Sequence, residues 1–116
     1  MPQYHDNSEY LLVDFTEPYS LSNVIAVIHE VAERCRQSGR DKVLVDLRKS
    51  EGNPKMLDRF KFGMEIAKVW GPRIKAAVVA RRTIINWMGE TVAVNRGGRV
   101  MVTHDETKAL EWLVVK

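Results

Sequence analysis

An α/β fold with a mostly parallel sheet is predicted by three observations. Residues 42–47 and 74–80 are apolar at almost every position, the pattern of strands covered on both faces. They alternate with stretches in which apolar residues recur at helical spacing. Glycine and proline mark the joins at Gly39, Gly71-Pro72 and Gly97-Gly98. Strands alternating with helices imply right-handed crossovers and parallel neighbours.

The chain opens on a predicted hairpin. Residues 10–15 are rich in strand formers, and Asp6-Asn7-Ser8-Glu9 before them has turn chemistry; the first arm, around residues 3–5, is a short edge strand. Ser20 or Ser22 then caps a helix that runs to Ser38, because a serine oxygen accepts a hydrogen bond from an otherwise unpaired first-turn amide. Gly39 supplies its left-handed stop. Ile25, Ile28, Val31, Ala32 and Cys35 share one face, with Glu30, Glu33, Arg34 and Gln37 on others. Residues 42–47 are expected to be the central strand, with Asp46 near the carboxyl end, where a polar side chain reaches loops instead of core.

Asn53-Pro54 is expected to start the second helix, Asn as cap and Pro at a position that needs no amide. At about 100° per residue Leu57, Phe60, Met64 and Ala67 share a face, while Phe62, Ile66, Val69 and Trp70 widen the apolar arc beyond about 200°. One sheet face needs a stripe of only about 100°. The surplus residues, Phe62, Ile66, Val69 and Trp70, are therefore expected at an interface, covered by neighbouring helices, a partner subunit or an apolar ligand. After the strand at 74–80, Thr83 is expected to cap a helix through Asn95, and Gly89 inside it signals tight contact. Val100-Met101-Val102 forms the last strand, and Asp105 caps a final helix that turns Ala109, Leu110, Trp112 and Leu113 inward.

A length of 116 residues fits one domain, 1–116, able to bury a core without disulfides or metal. The single Cys35 falls on an inner helix face and reads as a buried thiol. His5, His29 and His104 lack metal-ligand spacing, so neither metal nor cofactor is expected. A formal charge of +3 comes from interspersed residues without a basic run, which argues against nucleic acid. No apolar stretch approaches the roughly 20 residues that span a bilayer, and the N-terminus has no export pattern, so a cytoplasmic protein without membrane insertion is expected.

Several strings resemble one family. They are Val43-Leu44-Val45-Asp46-Leu47-Arg48 with Gly52-Asn53-Pro54; Asp58-Arg59-Phe60 with Phe62-Gly63; Ala76-Ala77-Val78-Val79; Gly89-Glu90-Thr91-Val92-Ala93 with Asn95-Arg96-Gly97; and Ala109-Leu110-Glu111-Trp112-Leu113. Together they resemble the stand-alone SpoIIAA-like proteins of bacteria, relatives of the STAS domain of anti-sigma-factor antagonists, which share an architecture with the lipid-binding CRAL-TRIO domains. The resemblance implies a SpoIIAA-like (STAS-like) four-turn (βα) superhelix with an N-terminal β-hairpin, and no common activity. Established antagonists of that superfamily present a phosphorylatable Ser or Thr directly after an Asp, in the loop leaving the central strand. Here Ser50 stands three residues further on, between Lys49 and Glu51.

Ligands of parallel α/β sheets bind where loops leave the carboxyl ends of the strands. Those loops carry Arg48, Lys49 and Ser50; Arg81, Arg82 and Thr83; and His104. With helix N-termini expected at Asn53 and Thr83, they can hold a phosphate or carboxylate, or form a solvated basic rim. Ser50, His104 and Asp46 are the set that can converge as nucleophile, base and orienting group, although no Gly-x-Ser-x-Gly or glycine-rich phosphate loop accompanies them. Arg59, inside the apolar arc, needs a partner such as Glu90 or a terminal carboxylate. Three functions stay open: a non-catalytic regulatory domain that binds a protein partner or itself, a carrier or sensor of a small amphipathic ligand, and a hydrolase-type enzyme.

Overall fold

In the computed structural model, which describes residues 2–82 and 88–114, with Met88 and Gly89 by backbone alone, five strands and four helices follow one another. They are β1 (Gln3–Asp6), β2 (Leu11–Asp14), α1 (Leu21–Ser38), β3 (Lys42–Asp46), α2 (Met56–Val69), β4 (Lys75–Val79), α3 (Met88–Asn95), β5 (Arg99–Thr103) and α4 (Glu106–Val114). The sheet order is β1-β2-β3-β4-β5; β1 pairs antiparallel with β2, and every later neighbour is parallel. The hairpin closes through Asn7, whose Oδ1 accepts the amides of Glu9 and Tyr10 at 2.8 Å each, an Asx turn.

Strand order that follows chain order puts successive right-handed crossovers on one side of the sheet. Accordingly Val43, Val45, Ala76 and Val100 share a core with Val27, Ile28, Val31 and Cys35 of α1, Trp70 after α2, and Ala93 of α3. The alternate residues Leu44, Ala77 and Val79 turn to the opposite face, where α4 covers them with Ala109 and Leu113. Val43, Leu44 and Val45 are all buried, which is why β3 carries no polar alternation.

Local chemistry sets most of the boundaries. Ser20 Oγ accepts the Asn23 amide at 3.1 Å, and Gly39, at φ 76°, returns its amide to Cys35 O at 2.9 Å. The inward stripe of α1 is Val27, Ile28, Val31 and Cys35, with Ile25 and Ala32 half-buried beside it. Burial pushes the Cys35 thiol up to about 11, so it packs as a neutral side chain. The end of α3 is a Schellman motif: Gly97, at φ 96°, donates to Val94 O at 3.1 Å and Gly98 to Ala93 O at 2.8 Å. Asp105 Oδ1 accepts the amides of Thr107 and Lys108 at the start of α4. Lys75 fastens the other end of that helix, donating to Trp112 O at 2.6 Å with its ammonium 4.6 Å from the Trp112 ring.

The start of α2 departs from expectation. Asn53 does not cap it; the helix begins at Met56, after Lys55, with no side-chain cap. Arg59 folds back from the first turn instead, donating to Asn53 Oδ1 and to Pro54 O at 3.0 Å, and so occupies the oxygen a cap would use. At the other end Trp70 is 2% exposed, and its indole Nε1 donates to Ile28 O at 2.8 Å. The expected Thr83 cap lies outside the described residues.

A Cβ added at Gly98 would stand 2.9 Å from Ala93 O and 3.2 Å from its carbonyl carbon, so Gly98→Ala must push the α3–β5 turn apart. A loss of about 1–3 kcal/mol in urea unfolding is expected.

Candidate functional site

At the carboxyl edge of the sheet the chain leaves β3 through residues 47–55. Arg48 folds back at once: its backbone amide and Nε meet Asp46 Oδ1 at 3.0 Å each, and Nη2 meets Asp46 Oδ2 at 2.9 Å and Glu106 Oε1 at 2.7 Å. The guanidinium holds the Asp46 carboxyl below its ordinary range, and the two carboxylates raise Arg48 in return. Lys49 Nζ stands 3.5 Å from Asp14 Oδ2. Ser50 is 2% exposed, and its hydroxyl donates to Glu17 O. Arg81 Nη2 donates to Gly52 O at 2.8 Å, while its Nε is buried without a hydrogen-bond partner. Arg82 and His104 are exposed.

The six residues expected to bind a ligand thus share one edge, but most already serve the fold. Arg48 and Lys49 are paired with carboxylates, and Ser50 is sealed under the loop. The set Ser50, His104 and Asp46 does not assemble a proton relay: Ser50 donates to a main-chain carbonyl, Asp46 is clamped by Arg48, and His104 is exposed. The helix N-terminus expected at Asn53 is displaced to Met56.

Beneath this loop lies a partly open cavity of about 150 Å³, lined by sheet residues such as Val45 and Val78, by Ile28 of α1, and by Phe62, Ile66 and Trp70 of the second helical segment. Tyr19, Arg59 and Glu90 are its polar lining. Burial raises the Tyr19 phenol, against the opposing pull of Arg81 and Arg59, and burial lowers Arg59. Glu90 Oε2 accepts the Val102 amide at 2.6 Å, and Arg59 donates to Asn53 and Pro54. The loop is therefore one anchor of Arg59, for which the sequence offered Glu90 or a terminal carboxylate as partner.

The cavity shows what the surplus apolar residues of this segment lie against. Phe62, Ile66 and Trp70 line it, and Val69 packs against the same core, so these four face the interior. The outward apolar side of α2 is the other one: Met56 is 55% exposed, Leu57 62%, Phe60 36% and Met64 40%. Gly63 lies on the inward side, as the residue of α2 that is fully buried. A glycine within a helical run was the available signal.

No known family model matches the sequence, and no curated protein matches it. Among solved structures, an anti-sigma factor antagonist from Mycobacterium paratuberculosis aligns with a TM-score of 0.64 over 97% of this chain and 92% of that one, at 12% identity. The fold is STAS-like. At that identity the likeness carries the fold alone. Within it, the edge loop that the sequence offered as a ligand site is an internally bonded element, and the open features are the cavity and the outer face of α2. Among the described residues, no helix is long and apolar enough to cross a membrane.

Two predictions follow from the loop. Asp46 has a folded pKa below its unfolded value of about 3.9. Its contribution is therefore complete above that value and is lost as pH falls through the depressed folded one. With Arg48 42% exposed, solvent screening limits the pair, and Asp46→Asn should lose about 0.5–1 kcal/mol at pH 7. Urea titrations should show wild type and variant converging toward about pH 2. Ser50→Ala should lose about 1 kcal/mol, one hydrogen bond, whereas Ser50→Asp should lose about 3 kcal/mol by burying an unpaired charge.

Proposed function

We propose that this chain is a non-catalytic regulatory domain that acts by binding another protein, as a stand-alone member of the SpoIIAA-like group. The observation that carries the reading is the row Met56, Leu57, Phe60 and Met64 on the outside of α2, continued on α3 by Val94, 47% exposed. These are the exposed large hydrophobic residues among the described ones. Their clustering on two adjacent helices is what marks a docking surface, since isolated exposed apolar residues need no explanation. Leu57, Phe60 and Met64 stand at i, i+3 and i+7, the spacing of one continuous helical contact line. Asp58, Lys61 and Lys68 edge the row with both signs of charge, so the matching partner surface is apolar at its centre with a mixed-charge rim.

The fold neighbour is named for antagonism of an anti-sigma factor, a task performed through protein contact, and this supports the same class of action here. The hydrolytic reading has weaker support, because its serine is buried and donates to a carbonyl.

Matched capture from cell extract with wild type and Leu57→Glu/Met64→Glu as baits tests this. A protein retained by wild type and lost from the variant is expected, with urea stability altered by no more than about 0.5 kcal/mol, since both positions are exposed. Light scattering on the two proteins reveals whether the partner is a second copy. Identical retained proteins together with identical solution masses would defeat the proposal.

A further inference from the structure

We propose that the cavity under α1 and α2 is a binding site for a compact, uncharged, hydrocarbon-rich molecule, about one aromatic ring or a branched chain of that size. This goes beyond the protein-binding reading and does not depend on it. Protein interiors are close-packed, with few voids larger than a water molecule, so a space of about 150 Å³ is a distinct feature of this core. Apolar cavities of roughly that volume accept a benzene-sized guest. A long acyl chain does not fit.

The wall combines a closed inner part with a mouth. Phe15, Val45 and Trp70 are buried, whereas Val24, Pro54 and Phe62 are half-buried, which places the opening between the first turn of α1, the end of the loop and α2. A guest has a way in. The polar side chains of the wall are already engaged: Glu90 Oε2 accepts the Val102 amide at 2.6 Å, the Trp70 indole donates to Ile28 O, and Arg59 donates to Pro54 O and Asn53 Oδ1. The Tyr19 hydroxyl faces Leu47 O at 3.5 Å, and burial raises its phenol, so it stays neutral. A water molecule held inside needs about two to four polar partners, and these groups have theirs. Arg59 and Glu90 bring one charge of each sign to the wall, so the site favours neither a cation nor an anion. A charged guest would lose its hydration without a dedicated counterion. The space thus suits neutral hydrocarbon.

Amide NMR titration of the full chain with toluene, benzoate and benzylamine separates shape from charge. Toluene should give saturable shifts at Val45, Val78 and Val100 within its aqueous solubility, and both charged probes should bind at least about tenfold more weakly. Ala80, buried in the same wall, supplies the second arm: Ala80→Leu fills the space and should abolish the toluene shifts. Absence of saturable toluene shifts at those amides, benzoate or benzylamine binding as tightly as toluene, or undiminished toluene binding by folded Ala80→Leu would overturn the site. Should Ala80→Leu fail to fold by circular dichroism, the ranking of the three probes on wild type decides.

Discussion

The bond from the Trp70 indole to the Ile28 carbonyl organises the helical side of this molecule. It joins the end of the second helical segment to the middle of α1 in a region where neither group reaches water, and an indole donor buried with its ring needs such a partner. With that end pinned and Gly63 buried, the roll of α2 about its axis is set. The roll places Phe62 and Ile66 over the cavity and leaves Leu57 and Met64 outside. The inner void and the outer apolar row are two results of one helix orientation.

The opposite end of α2 is organised by arginines. Arg48, Arg59 and Arg81 each reach into residues 46–54, to Asp46, to Asn53 and Pro54, and to Gly52 respectively. A segment without regular structure is thereby held by long side chains from its own start, the following helix and the neighbouring strand end. Ser50 is one more fastening in this assembly, its hydroxyl bonded across to Glu17 O. In this chain the loop after the central strand bonds its serine internally.

Much of the fold was legible because its determinants are local. The Ser20 cap, the Gly39 stop, the Gly97-Gly98 turn and the Asp105 cap each depend on a few neighbouring residues, and the unbroken apolar run of β3 announces burial on both sides. The start and roll of α2 were not legible. Asn53 has good capping chemistry, but a side chain six positions later competes for the same oxygen. The apolar arc is wide enough to permit two orientations, and the choice between them rests on Trp70 meeting a distant partner. For the site, serine and arginine read as ligand groups in the sequence, and the tertiary partners of Arg48, Lys49 and Ser50 are seen in the structure alone. A cavity is a property of packing and leaves no residue pattern of its own.

The contact of Glu90 with Val102 reaches beyond the cavity. Strand β5 ends the sheet. Its Thr103 carbonyl points back to the chain leaving β4, accepting the Ala80 amide, so the adjacent Val102 amide points outward. That amide is the kind of free rung onto which a foreign strand adds. Here a carboxylate from the protein's own helix already occupies it at 2.6 Å. Strand addition at the β5 edge would have to expel a charged side chain.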